Sequence, residues 1–238
     1  MTFDPAFWTA LGQIIGINII LSGDNAVVIA LACRNLPDRY RNKAIVAGSA
    51  GAIILRIIFS IFVVELMTFP WLKLIGGVLL LWIGVKLIVP EDEHGDGIEG
   101  SGSLWGAIRT VVIADAVMSL DNVIAIAAAA RGSFTLLVVG LAISIPLIIV
   151  GSQLILKVLI KYPILVVAGG GLLGWIAGEV MVTDPAIESW VDANAEWLHF
   201  WAKPIGATAV IAIGKTIAWR SASALPHEVE DLAEGGRK

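Results

Sequence analysis

The sequence predicts an all-α fold, a polytopic transmembrane helix bundle of seven spans built as two inverted three-helix repeats plus a seventh helix. Three observations predict it. Of 238 residues, 58% are hydrophobic and only 15% charged, against about 25% charged in an average soluble chain. Apolar stretches approaching the ~20 residues needed to cross a bilayer recur from end to end. Within them one polar pattern occurs twice, as Asn18-Ile-Ile-Leu-Ser22-Gly-Asp24-Asn25 and as Asp115-Ala-Val-Met-Ser119-Leu-Asp121-Asn122.

The first span runs from about Phe7 to Cys33 and carries the first polar cluster. The short basic loop from Arg34 to Lys43 follows, and the positive-inside rule places it in the cytoplasm, with the N-terminus outside. A second span, roughly Ala44 to Met67, holds Arg56 near its middle, and Phe69-Pro70 turns it into a third from Trp71 to Val89. Repeat 1 therefore covers about residues 7–89. The acidic, Gly-rich stretch 90–104 reads as a flexible cytoplasmic loop. Repeat 2, about 105–182, contains a fourth span with the second polar cluster, a fifth ending near Leu156 and a sixth starting at Pro163.

From 184 to 201 the residues Ile187, Trp190, Val191, Trp197, Leu198 and Trp201 fall at helical spacing between acids, which predicts an amphipathic helix on the membrane interface. A final span over 203–220 and a polar, disordered tail over 221–238 complete a single transmembrane domain, residues 1–238. Arg34, Arg39, Arg41, Lys43, Lys86, Lys157, Lys161, Lys215 and Arg220 then fall inside, against Lys73, Arg131 and Lys203 outside, so the C-terminus is cytoplasmic. Trp8, Trp71, Trp105, Trp190, Trp197, Trp201 and Trp219 lie near span ends, where interfacial anchors belong.

Several classes are disfavoured. A net charge of -4 offers no basic footprint for nucleic acid. The lone Cys33 excludes an intrachain disulfide framework, and no basic region precedes the first apolar run as it would in a cleaved signal peptide. The lipid bilayer is the expected partner, and a homo-oligomer is compatible with the sequence.

The two clusters overlay residue by residue: Asn18 on Asp115, Ser22 on Ser119, Asp24 on Asp121, Asn25 on Asn122 and Arg34 on Arg131. Downstream, Gly76-Gly77 with Trp82 overlays Gly169-Gly170 with Trp175, and Lys86 overlays Glu179. Three spans per repeat is an odd number, so the copies cross the membrane in opposite directions, the plan many secondary transporters use. A site shared by the two copies belongs at the midplane where they meet.

An acid in hydrocarbon costs roughly 2.5 to 3.5 kcal/mol on insertion scales, so two matched copies point to a site. By spacing, Asn18, Ser22 and Asn25 share one helix face, as do Asp115, Ser119 and Asn122, while Asp24 and Asp121 point about 100° from their Asn neighbours. Local unwinding would gather both groups into one pocket, and Gly23 favours it in the first copy, whereas Leu120 offers no such help in the second. Carboxylate, amide and hydroxyl oxygens suit hard divalent cations such as Mn(II), Mg(II) or Ca(II). His94, His199 and His227 lie in loops or tails, and Met118 and Cys33 are the nearby soft donors. Interhelical hydrogen bonding is the simpler account of Ser22 and Ser119. Acid-base hydrolysis by the paired acids is a further alternative, but no nucleophile or catalytic His accompanies them, so an enzyme is not expected. Arg56 is expected to pair with one of the acids, either to neutralise the empty site or to be satisfied in the bundle. Glu65, Lys86 and Glu179 sit near span ends, where snorkelling to the interface is expected.

Ser22-Gly-Asp24-Asn25-Ala with its aliphatic run, together with Asp115-x-x-x-Ser119-x-Asp121-Asn122-Val, resembles the TerC family of integral membrane proteins over nearly the whole chain. The resemblance implies a multi-pass protein of the bacterial inner membrane, linked by the family name to tellurite resistance and by activity to manganese(II) efflux. It carries over Asp24, Asn25, Asp121 and Asn122 as candidate metal ligands, with Asp115 as a further acid. Asn18, Ser22, Ser119 and Arg56 support them. Many relatives have an acid where this chain has Asn18, so Asp115 stands open between ligand and proton carrier. The expected activity is export of a divalent metal ion, Mn(II) foremost, by alternating access with proton exchange and with no prosthetic group. A LysE-type amino-acid exporter and a non-transporting membrane interaction protein are the alternatives.

Overall fold

Polar breaks punctuate otherwise continuous apolar helices, and those breaks set the element boundaries in the computed structural model. It describes residues 5–21, 23–89, 103–130 and 133–223, with the backbone alone at 5, 6, 19–21, 64, 67, 121, 222 and 223. Ser22, Arg131, most of the predicted acidic loop and the tail from residue 224 onward lie outside the described residues. These comprise ten helices: α1 Pro5–Leu21, α2 Gly23–Cys33, α3 Asp38–Ile61, α4 Val63–Thr68, α5 Leu72–Ile88, α6 Leu104–Ala129, α7 Phe134–Lys161, α8 Ile164–Val182, α9 Glu188–Asn194 and α10 Leu198–Ser223.

Each of the seven predicted spans recurs as a helix or a helix pair, but not all meet the same test of length and apolarity. Three helices, α3, α7 and α8, are long and apolar enough to cross a membrane. Five spans result if each bent pair counts as one. Those pairs are Phe7–Asn18 with Gly23–Cys33, bent by 48°, and Leu104–Leu120 with Asn122–Ala129, bent by 67°. Helix α5, at 17 residues, rises only about 25 Å at ~1.5 Å per residue, less than the ~30 Å hydrocarbon core. Lys203, Thr208, Lys215 and Thr216 dilute the apolar character of α10.

Two boundaries differ from expectation. The second predicted span is interrupted at Phe62 (φ -104, ψ 21), which separates α3 from α4. The predicted amphipathic helix over 184–201 is split by a non-helical Ala195 (φ -149, ψ 44) into the short α9 and the first turn of α10. Val191 of α9 is buried while Trp190 and Trp197 are exposed, so one apolar face survives the break.

The helices pair reciprocally between the segments that the sequence overlays. The first-span pair α1 and α2 packs on α7, α6 packs on α3, and α5 packs on α8, with α10 against α8 and α5. The register that overlays Asn18 on Asp115 also overlays Ile14 on Val111. In space Ile14 seats on Gly140 of α7 and Val111 on Gly48 of α3. At the α5–α8 contact a methyl on Gly77 would meet the Ala177 carbonyl at 3.1 Å and Met181, and one on Gly170 would meet the Gly84 carbonyl at 3.0 Å and Ile88. Those two sets of partners overlay as well. Small residues permit such approaches where lipid supplies no hydrophobic drive between helices.

Two apolar clusters flank the bends. One gathers Ile14, Leu31, Ile45, Val111, Ile126 and Leu141 from α1, α2, α3, α6 and α7. The other gathers Val28, Leu80, Val117, Met118, Leu173 and Ala177 from α2, α5, α6 and α8.

Candidate cation site

Buried inside those helices, five polar side chains form one network. Asn18 of α1, Arg56 of α3, Asp115 and Ser119 of α6, and Ser144 of α7 are each at most 7% exposed. The Arg56 guanidinium is its centre: Nε donates to Ser119 Oγ at 3.0 Å, Nη1 to Asn18 Oδ1 at 2.6 Å and Nη2 to Asp115 Oδ1 at 2.7 Å. Ser119 Oγ donates to the other carboxylate oxygen, Asp115 Oδ2, at 3.0 Å. Asn18 Nδ2 donates to Ser144 Oγ, which donates in turn to the Leu141 carbonyl at 2.6 Å.

Both oxygens of Asp115 are thus engaged, and among the described acids Arg56 forms its ion pair with Asp115. Four helices from both repeats share this network. Breaking a buried ion pair by removing one partner costs about 3–5 kcal/mol, because the other charge is left uncompensated; replacing both partners together costs far less.

Asp24 and Asn25 stand apart from the network, at the N-terminus of α2 just past the first bend. Asp24 is half-buried, accepts the Asn25 backbone N–H at 2.7 Å, and lies close enough to feel the charges of Arg56 and Asp115. A carboxylate in the first turn also complements the partial positive charge of a helix N-terminus. Asn25 is 3% exposed, and among the described residues neither the oxygen nor the nitrogen of its side-chain amide has a hydrogen-bond partner. A buried amide without partners costs about 1–3 kcal/mol, which marks Asn25 as a candidate for binding a ligand.

In the second copy the backbone bends at Asp121, and Asn122 is half-buried just beyond. No Gly or Pro marks this bend, which is sharper than the one at Gly23, so the second copy bends without the help that Gly23 offers in the first. Met118, weighed as a soft ligand, is buried in an apolar cluster. Among the described residues no group of three His, Cys, Asp or Glu side chains converges to hold a metal ion. The described oxygen donors are those of Asp24, Asn25 and Asn122, a hard set suited to Mg(II), Ca(II) or Mn(II). A recess of about 190 Å³ opens beside the first bend, lined by Gly23, Ala26, Ser144, Ile148 and Gly151 among others.

Sequence reasoning missed Ser144, whose signal, a lone serine two residues before Pro146, is too common to stand out. It also missed Asp184 as a structural acid. Glu179, expected to snorkel, pairs across helices with Lys203 at 2.5 Å, both partly exposed. Lys86 lies over the Trp82 ring at 5.4 Å.

The Integral membrane protein TerC family matches residues 3–224. The chain is 50% identical over 171 residues to the "Uncharacterized membrane protein YjbE" of Bacillus subtilis (strain 168), covering 72% of this chain and 78% of the relative. It is 31% identical over 147 residues to YceF of the same organism, covering 58% of this chain and 57% of the relative. It is 32% identical over 139 residues to the "UPF0053 inner membrane protein YgdQ" of Escherichia coli (strain K12), covering 51% of this chain and 58% of the relative. The chain therefore spans little more than half the length of YceF and YgdQ. No solved structure matches it. With the family match running almost end to end, the chain belongs to the TerC family of integral membrane proteins.

Proposed function

We propose that the protein is a secondary transporter, not an enzyme, that exports a divalent metal ion, Mn(II) foremost, through a site formed where two inverted repeats meet. The observation that carries this reading is Asn25: a buried amide with no hydrogen-bond partner among the described residues, beside Asp24, at the start of a half-helix. Discontinuous helices of this kind hold ions in transporters, because the broken turn frees carbonyl oxygens and helix ends at the midplane. Reciprocal packing of α1 and α2 on α7 against α6 on α3 supports the two-repeat plan.

In this reading Asp24, Asn25, Asp121 and Asn122 take the ion's inner oxygens, exchanging them for water. Asp115 is held back by Arg56. Rocking of one repeat against the other then exposes the ion first to the cytoplasm and afterwards to the outside. Seven spans, with the N-terminus outside and the C-terminus in the cytoplasm of a bacterial inner membrane, suit the Lys and Arg distribution. Negative charge left at the site on the return leg is the reason to expect proton exchange.

The test is cellular manganese content and manganese sensitivity in cells carrying wild type, Asp24→Ala or Asp121→Ala at matched membrane levels. Both variants are expected to lose protection; equal protection by all three would remove the site assignment.

A further inference from the structure

Among the positions at which the overlaid segments differ, two that meet across the segments change in charge together. The register that places Gly48 on Gly140 places Arg56 on Ile148 and Ser60 on Ser152. In space the two serines match: Ser60 Oγ donates to the Arg56 carbonyl at 2.8 Å, and Ser152 Oγ to the Ile148 carbonyl at 2.7 Å. Arg56 faces Asp115 across α3 and α6. Its counterpart Ile148 lies on α7, which packs on α1, the helix that bears the Asn18 counterpart of Asp115. The contact between α3 and α6 thus carries a buried Arg–Asp pair, whereas the overlaid positions on α7 and α1 hold the neutral residues Ile148 and Asn18. Beside Ile148 and Gly151 lies the recess; at the overlaid positions on α3 stand Arg56 and the larger Phe59.

We propose that Arg56 is a specificity-determining residue that fixes the net charge of the cation site by cancelling Asp115, leaving the two carboxylates of Asp24 and Asp121 to match a divalent ion. This rests on the transport reading for the role of Asp24 and Asp121. Three carboxylates without the guanidinium would overbind a dication and favour a trication; two match the dication's charge. Both Asp115 oxygens are already engaged by Arg56 and Ser119, so Asp115 enters the balance as a charge and not as a ligand. An opposite-charge pair at one contact and two neutral residues at the overlaid positions leave the same net charge.

The test is Mn(II) binding by calorimetry on the purified full-length protein, with Tb(III) luminescence as a trivalent probe. The variants are Asp115→Asn, Arg56→Ile, and the two combined, which copies the neutral residues at the overlaid positions. Asp115→Asn is expected to weaken Mn(II) by about tenfold or more, since it leaves an uncancelled positive charge near the ion. Arg56→Ile is expected to tighten binding and shift preference toward Tb(III). The double variant, which restores the balance, is expected to return to within about threefold of wild type, a reversal that charge compensation gives and loss of a ligand does not.

If Arg56→Ile does not fold, the single Asp115→Asn and the double variant still decide. A double variant as weak as Asp115→Asn overturns the proposal, because Asp115 would then hold the ion directly. Unchanged binding in Asp115→Asn overturns it as well. Wild type that binds no Mn(II) overturns both this inference and the transport reading. Wild-type binding that is lost in Asp24→Asn but not restored in the double variant overturns this inference alone.

Discussion

Asp184 shows how much one carboxylate outside the spans can hold. It is wholly buried after α8, where its Oδ1 accepts the Trp71 N–H at 2.9 Å and the Ala186 N–H at 2.8 Å, and its Oδ2 accepts the Leu74 N–H at 3.0 Å. It thereby caps the N-terminus of α5 from a distant part of the chain, at Trp71, the one non-Gly residue with positive φ (70°) among the described residues. Burial pushes its carboxyl up, but the N–H groups of Ala186, Trp71, Leu74 and Lys73 together outweigh it and hold the group below the ordinary carboxylate range. A depressed folded-state pKa contributes stability that is present above the unfolded value of about 3.9 and is lost as pH falls through the lower folded value. Asp184→Ala is therefore expected to lower stability by about 2 kcal/mol at neutral pH, through three unpaired N–H groups and a lost cap. Thermal unfolding in detergent at pH 7 and at stepwise lower pH checks this: the gap between wild type and variant should narrow only in strong acid.

Helix contacts depend on absent side chains as much as on present ones. Glycines line the α8–α10 seam, where a methyl on Gly178 would collide with the Ala202 carbonyl and one on Gly206 with the Gly174 carbonyl. Backbone cannot yield as a flexible side chain does, so Gly178→Ala is expected to cost about 1–3 kcal/mol by overpacking. Gly12→Ala, with nothing within 4 Å of the added carbon, should leave the melting temperature unchanged or raised. Measuring both variants side by side separates seam packing from helix propensity. The bends belong to the same scale: one follows a glycine and was legible, whereas the sharper one at Asp121 has no such marker. A polar residue inside a helix identifies where a break would be useful without revealing whether the helix breaks.

Across the molecule the overlaid segments pack chiefly on one another, α3 on α6, α5 on α8, and α1 and α2 on α7. If the two repeats rock around a metal site that exchanges ions for protons, Mn(II) movement in proteoliposomes should accelerate with an imposed pH gradient and should shift internal pH. Transport indifferent to both would remove the coupling while leaving export intact.

The sequence by itself determined that the chain is a helical membrane protein, that two polar clusters match, and that Asn18, Asp24, Arg56, Asp115 and Ser119 are costly to bury and so need a reason to be there. Composition and periodicity carry that information because hydrocarbon tolerates so few polar groups. Which partners those residues take was decided only by tertiary structure. Arg56 could have met any of several acids; the packing of α3 on α6 gives it Asp115 and Ser119, with Asn18 brought across from α1. Asp184 reads in sequence as a solvated acid at a span end, and becomes a buried cap only because the start of α5 folds against it. Partners as far apart as Arg56 and Asp115, at 59 residues, or Trp71 and Asp184, at 113, leave no periodic trace in the chain, so these pairings became visible only once the helices were packed.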